Sequence, residues 1–343
     1  MMIEKTGKIE SSFLIGLVLV IAIAAGVAAF WLFDASPASS GLGPEYTYDI
    51  EKYAKIDPAL ILYRQVGEPM SLDFEKSHAI AVGVDGKIYI AGDEKVAIYS
   101  PGITPPMEIE LAAEPTCIEV QTDGTIVVCS GNDIIFMDTV AVEVDRWTVP
   151  AGNAILTSIA MDNANVFIAD AVNKFVWRLN RQGNVIGRIG KKDPKRNIPG
   201  IVVPSPYFDI AMATDGLLRV VNPGRHLIEA YTAEGDREWA WGKSAISIEG
   251  FSGCCNPVSL AILPDGGFVT AEKGLVRVKI YDAEGHFTGV VAGPDQLGWV
   301  DPLRVCETPE QCSLKGFDVA VDPDGRVYVL DMIRNNVRVF EKK

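Results

Sequence analysis

Residues Phe317–Phe340 read FDVAVDPDGRVYVLDMIRNNVRVF. An apolar run meets Asp324-Gly325, then a second run, Val327-Tyr328-Val329-Leu330, then a polar turn and an alternating run that ends in Phe340. Asp-Gly between apolar runs is a strong hairpin signal, because glycine takes positive φ without a side-chain clash. An unbroken apolar run suits a strand covered on both faces, and an alternating run suits one covered on a single face. The segment therefore predicts three antiparallel strands joined by two tight turns.

The same pattern recurs upstream. Ile80–Ser100 (IAVGVDGKIYIAGDEKVAIYS) is a clear copy, and others start at Cys117 (CIEVQTDGTIVVCS), Ser158 (SIAMDNANVFIAD), Phe208 (FDIAMATDGLLRVVN) and Val258 (VSLAILPDGGFVTAE). The turns fall at Asp85, Asp123, Asn163, Asp215, Asp265 and Asp324, and subtraction gives spacings of 38, 40, 52, 50 and 59. A second turn carries glycine in Arg181-Gln182-Gly183, Ala233-Glu234-Gly235 and Ala283-Glu284-Gly285. A fourth strand then ends at Ile189-Gly190, Trp241-Gly242 and Ala292-Gly293. Four strands per repeat around an axis predict an all-β fold, a six-bladed β-propeller over residues 59–343. The last copy stops at its third strand, near Phe340. Ala59–Val66 (ALILYRQV) is expected to supply the missing outer strand, which ties the two ends together and removes an open edge.

Segments Val166–Val185 (VFIADAVNKFVWRLNRQGNV) and Val327–Phe340 resemble NHL repeats. The resemblance covers roughly residues 59–343 and is strongest in repeats three to six. It implies the propeller fold and no particular chemistry, since unrelated activities share that fold.

Ahead of the repeats, Ser12–Phe33 (SFLIGLVLVIAIAAGVAAFWLF) carries no charge. A run of about 20 apolar residues matches the thickness of a bilayer core. Residues 1–11 are then a short cytoplasmic end, 12–33 a membrane anchor and 34–58 a linker, of which Ala35–Tyr48 is rich in Ser, Gly and Pro. Lys5 and Lys8 before the span and Asp34 after it favour export of the propeller, to the periplasmic or extracellular side of the cell membrane. The rival reading is a signal peptide cut near Ser36-Pro37-Ala38. Its apolar region is normally shorter, about 7–15 residues.

The chain of 343 residues has 45 acidic against 31 basic side chains, a formal charge of -14. Such a surface repels phosphate backbones, so nucleic acid is not an expected partner. Lys191–Arg196 (KKDPKR) is the nearest thing to a basic run and reads as a solvated loop.

In a four-stranded meander the loops alternate between the two ends of the propeller. Asp-Gly turns and third-to-fourth turns share one end. Second-to-third turns and blade connections share the other. The three long insertions, Lys191–Tyr207, Lys243–Pro257 and Pro294–Gly316, are all blade connections before blades four, five and six. Long loops on a rigid scaffold are where binding usually sits. Candidate groups at that rim are Asp93, Asp170, Asn222, Arg225, His226, Glu272, Lys273, Asp331 and Arg334, with Trp299 as an aromatic anchor for a partner. Each has a plainer reading as a strand cap or a solvated side chain.

Cys117 and Cys129 flank the Asp123-Gly124 hairpin almost symmetrically, which makes them candidates for a structural disulfide. Cys254, Cys255, Cys306 and Cys312 fall in the insertions before blades five and six. They leave three readings open: disulfides, a four-thiolate metal or iron–sulfur site, or a reversible redox pair. Gly250–Pro257 (GFSGCCNP), Ser205–Phe208 (SPYF) and Thr270–Gly274 (TAEKG) resemble segments of uncharacterised bacterial NHL-repeat proteins, which carry no known activity.

The histidines are His78, His226 and His286, and no P-loop, C-x-x-C-H or G-x-S-x-G motif is present. The leading expectation is a binding or scaffold propeller that docks a protein or small ligand at its loop-rich rim near the membrane. The alternatives are a redox or metal-binding accessory protein using the four clustered cysteines, and a hydrolase or lyase with Ca2+ held at the channel mouth by groups such as Asp170 or Glu272. The only cofactors in prospect are thus Ca2+ or a thiolate-bound metal.

Overall fold

The computed structural model describes residues 16–23, 50–253, 255–299 and 315–343. The chain divides into two units, Met1–Asp49 and Ile50–Lys343. In the first, residues 16–23 are helical, and the rest of the expected span lies outside the described residues. Among the described residues no helix is long and apolar enough to cross a membrane.

The second unit opens with a short helix, Ile50–Ala54, and a 3-10 turn, Pro58–Leu60. Strand β1 (Tyr63–Ser71) follows, and then six sheets of four antiparallel strands, with β1 joining the last. Blade one is β2 (Ser77–Val82), β3 (Ile88–Gly92), β4 (Lys95–Tyr99) and β5 (Met107–Glu110). Blade two is β6 (Pro115–Val120), β7 (Ile126–Ser130), β8 (Asp133–Met137) and β9 (Glu143–Thr148). Blade three is β10 (Leu156–Met161), β11 (Asn165–Asp170), β12 (Phe175–Asn180) and β13 (Val185–Ile189). Blade four is β14 (Ile210–Met212), β15 (Leu218–Asn222), β16 (Leu227–Tyr231) and β17 (Arg237–Trp241). Blade five is β18 (Ser259–Ile262), β19 (Phe268–Glu272), β20 (Arg277–Tyr281) and β21 (Phe287–Ala292). Blade six is β22 (Phe317–Val321), β23 (Val327–Asp331), β24 (Asn336–Lys342) and β1. The chain is a six-bladed β-propeller.

The turns form for the reason the sequence suggests. At Asp324-Gly325 the glycine sits at φ 78°. The third repeat has no glycine at this place. There Asp162 accepts the N–H groups of Ala164 and Asn165, at 2.7 and 2.6 Å, and holds the turn by itself.

Closure follows the expected route with different bounds. Tyr63 to Val66 pair with Lys342 to Val339, and after a bulge Met70 and Ser71 pair with Val337 and Asn336. The strand is therefore Tyr63–Ser71, not 59–66. Pro58 takes the start of that stretch into the 3-10 turn, which Asp57 caps through the Ala59 N–H at 2.9 Å.

The core lies in the wedges between blades, and the insertions help to fill them. Ile198, Ile201 and Val203 are buried with blades three and four, Phe251 with four and five, and Leu297 and Trp299 with five and six. Each such side chain contributes roughly 1.5–3 kcal/mol of burial. These described residues of the insertions are thus interior, where the sequence reading had placed the insertions on a rim.

Cys117 and Cys129 stand directly opposite on β6 and β7 and are disulfide-bonded, with Cα atoms 5.1 Å apart. Alkylation of the unfolded chain without reductant is expected to leave both unlabelled, and reduction to expose both. A peptide map checks this.

Candidate functional site

At the loop-rich end, Asp170, Asn222, Glu272 and Asp331 each close the second strand of a blade, and all four are buried. Their polar atoms serve the fold. Asp170 accepts the Asn173 N–H at 3.0 Å and the Trp177 indole N–H at 2.9 Å. Asp331 accepts the N–H groups of Ile333 and Arg334, both at 3.0 Å. Asn222 accepts the Val202 N–H at 3.0 Å and so fixes the insertion before blade four.

Glu272 does the same for the insertion before blade five, with charge. Its carboxylate accepts the Ser252 N–H at 3.0 Å and the Arg277 guanidinium at 2.9 Å, and lies 2.6 Å from the Lys279 ammonium. All three side chains are at most 1% exposed. Arg277 donates to the Ile246 carbonyl at 3.2 Å, and Lys279 to that of Gly250 at 2.6 Å. Burial pushes the Lys279 ammonium down to about 8, against the pull of Glu272. Asp170 and Glu272 are therefore spent inside the blades and do not face a channel mouth as Ca2+ ligands.

Trp299 is also interior. It packs on Phe317, and the Arg334 guanidinium lies 3.8 Å from its ring centroid while donating to the Leu297 carbonyl at 2.9 Å. It anchors its own insertion and not an external partner.

Of the remaining candidates, Asp93 is partly exposed and accepts the N–H groups of Glu75 and Lys76 at 3.1 and 2.8 Å. Arg225 is exposed, and His226 next to it has Nε2 2.6 Å from the Gly253 carbonyl oxygen. Asn256 binds the backbone of Lys273 in both directions, at 2.8 and 3.0 Å. The Lys273 ammonium donates to the Tyr207 hydroxyl, and burial pushes it down to about 8. Cys255 is buried, with Sγ 3.8 Å from that hydroxyl. Cys254, Cys306 and Cys312 lie outside the described residues. Among the described residues, the acidic and histidine side chains whose ligand atoms converge within 4.8 Å are Asp282, Glu284 and His286, on the third-to-fourth turn of blade five.

The second site lies on the axis. The six inner strands β2, β6, β10, β14, β18 and β22 enclose a channel of about 430 Å3. Its loop-rich end is closed by a polar belt. Asp209 accepts the Leu260 N–H of the next blade at 2.9 Å, and Asp318 accepts the Ile80 N–H at 3.0 Å. The Ser259 hydroxyl lies 2.9 Å from Asp209 and 2.6 Å from Asp318. Lys315 spans the same two carboxylates at 3.7 and 2.7 Å. Burial disfavours the Lys315 charge, but Asp209 and Asp318 outweigh it and hold the ammonium above its ordinary value. Burial also raises the Asp318 carboxyl, against the pull of Lys315.

One layer toward the Asp-Gly turns, the equivalent positions are Ala81, Glu119, Ala160, Ala211, Ala261 and Ala320. Five blades carry alanine and one carries a carboxylate. Burial, and secondarily Asp209, push the Glu119 carboxyl up to about 8. The sequence reading passed over this residue. Aligning the six copies on their inner strands exposes it, because CIEV breaks a column of alanines.

Neither a protein-family model nor a curated protein sequence matches the chain. Solved structures do. A streptogramin B lyase structure superposes with a TM-score of 0.55 at 12% identity, over 82% of this chain and 98% of that one. Virginiamycin B lyase from Staphylococcus aureus gives 0.55 at 13%, over 82% and 100%. The WD40 β-propeller domain of Doa1 gives 0.52 at 14%, over 82% and 97%. At these identities the likeness concerns the propeller fold.

Proposed function

We propose that this chain is a binding propeller of the NHL-repeat type, held at the outer face of a membrane by residues 12–33, which docks an acidic protein partner on the end formed by blades four to six. One observation carries the reading. On a chain with a formal charge of -14, the basic side chains of Arg225, Lys273 and Arg334 stand at one end, with buried Asp331 3.9 Å from Arg334. The segments beside them are pinned by the buried contacts of Asn222, Glu272 and Trp299. A fixed cluster of one sign steers and orients a partner of the other, and rigid loops lower the ordering cost of docking.

The test uses full-length protein solubilised from its own membranes. The variant Arg225→Glu is expected to weaken capture of the co-purifying partner, and wild-type capture is expected to weaken as salt rises. Unchanged capture by a variant with a wild-type melting temperature would sink the proposal.

A further inference from the structure

The two ends of the axis differ. Two residues nearer the loop-rich end than the alanine layer, the equivalent positions Ala79, Cys117, Ser158, Asp209, Ser259 and Asp318 are all buried. At the other end Val82, Val120, Met161, Met212, Ile262 and Val321 are each partly exposed. The channel therefore closes on the Lys315 belt and opens among the Asp-Gly turns. That mouth carries Asp85, Asp123, Asp162, Asp215, Asp265 and Asp324. Lys87, Arg219 and Arg326 pair with three of them. Among the described residues Asp123, Asp162 and Asp265 have no cation at ion-pair distance, so the mouth keeps a negative field that draws cations inward.

Glu119 sits inside that mouth. It accepts no hydrogen bond and makes no ion pair with any described residue. Glu119 is half-buried at the channel wall, and a partly desolvated carboxylate without a partner weakens a fold. Alanine fits the same place in the other five blades, so packing does not demand the glutamate. Groups held at a cost to stability are characteristic of binding and catalytic sites. The wall around it is alanine, with valine, methionine and isoleucine toward the mouth. A volume of about 430 Å3 lies in the usual range for small-molecule sites, about 300–1,000 Å3. A metal ion wants several oxygen ligands, and Glu119 is the one carboxylate in its layer. A small alkylammonium ion wants one carboxylate and an apolar wall.

We propose that the axial channel binds a small organic ammonium ion, entering between the Asp-Gly turns, with its charged head on the Glu119 carboxylate and its alkyl part on the alanine and valine–methionine–isoleucine layers. The other charged groups that line the channel are Asp209, Asp318 and Lys315, whose charges are largely satisfied within the belt. The inner strands of blades one, three and five present alanine, serine, threonine and apolar side chains. Burial raises the Glu119 carboxyl to about 8, so an ammonium ion that binds there at neutral pH competes with a proton. Affinity then rises about tenfold per pH unit up to about 8 and levels off above that.

Isothermal titration of the full-length protein in detergent tests this, with hexylammonium as probe, 1-hexanol as its neutral match and CaCl2 as the metal control. Hexylammonium is expected to bind at least tenfold more tightly than hexanol and to release a proton, seen as a buffer-dependent heat at pH 7. Glu119→Gln and Glu119→Ala are expected to lose that preference while melting at or above the wild-type temperature. Equal binding of hexanol, an unchanged preference in Glu119→Gln, saturable Ca2+ binding that excludes hexylammonium, or no binding of any probe would each overturn the proposal. None of these outcomes touches the docking surface at the opposite end.

Discussion

Glu272→Gln is expected to destabilise the propeller by about 3–5 kcal/mol, the usual cost of stranding a buried charge. The glutamine keeps the volume and can still accept the Ser252 N–H, so no cavity opens. What is lost is the negative charge between Arg277 and Lys279, both fully buried on β20. Those cations then keep only neutral partners: backbone carbonyls of the insertion before blade five, the Ser252 hydroxyl and the Phe251 and Tyr281 rings. By contrast, Lys243→Ala breaks an ion pair whose two side chains are 56% and 58% exposed, and is expected to leave stability nearly unchanged. Thermal unfolding of the two variants side by side separates them by on the order of 10 °C. The sign of the pH effect follows from Lys279. Its folded pKa is already lowered, to about 8, and loss of Glu272 lowers it further. The variant therefore sheds this proton in the fold below about pH 8, where wild type still holds it, so part of its deficit is recovered as pH rises to about 8 and none beyond. Arg277 does not titrate in this range, so recovery stays incomplete. A deficit no larger than that of Lys243→Ala would mean that water reaches the cluster.

Lys315→Met should show the reverse pH dependence. The lysine neutralises Asp209 and Asp318 at the closed end of the channel. Without it two buried carboxylates remain, softened by Ser158, Ser259 and the N–H groups of Ile80, Ile210 and Leu260. The expected loss is about 3 kcal/mol at pH 7. The Asp318 carboxyl is already raised by burial, and it rises further once the lysine no longer pulls it down. A folded group that keeps a proton which the unfolded chain gives up near pH 4 loses stability as pH rises through that window. The variant should therefore match wild type near pH 4 and fall behind toward pH 7. In the wild type the lysine, held above its ordinary value by Asp209 and Asp318, keeps its contribution throughout this window. Melting curves at pH 4, 5.5 and 7 decide the matter. A constant offset between the two proteins would place the loss in packing instead of charge.

The strands were readable because their signals are local. An Asp-Gly pair, a run such as Val327–Leu330 and an alternating run each declare themselves within ten residues. The closing strand was readable as a need, because the last copy lacked an outer member. Its bounds were not, since Pro58 and the bulge before Met70 shift the pairing by several residues. Trp299 and Glu272 were misplaced for a different reason. Both stand next to long insertions, and a polar or aromatic residue beside a loop looks exposed until the wedge it fills is known. The Cys117–Cys129 pair was legible because both residues flank one hairpin.

The sequence by itself determined the repeat, the blade count, the meander order and the end at which the insertions lie, because hydrophobic period and turn chemistry act over short distances. Tertiary structure alone decided which polar side chains are spent in the fold and which line the axial channel. Asp209 meets Leu260 across 51 positions, and Asp318 meets Ile80 across 238. Glu119 becomes unusual only when five other blades set alanines around the same axis. Burial and partnership depend on the neighbouring blade, and in a closed ring the neighbour is dozens to hundreds of residues away.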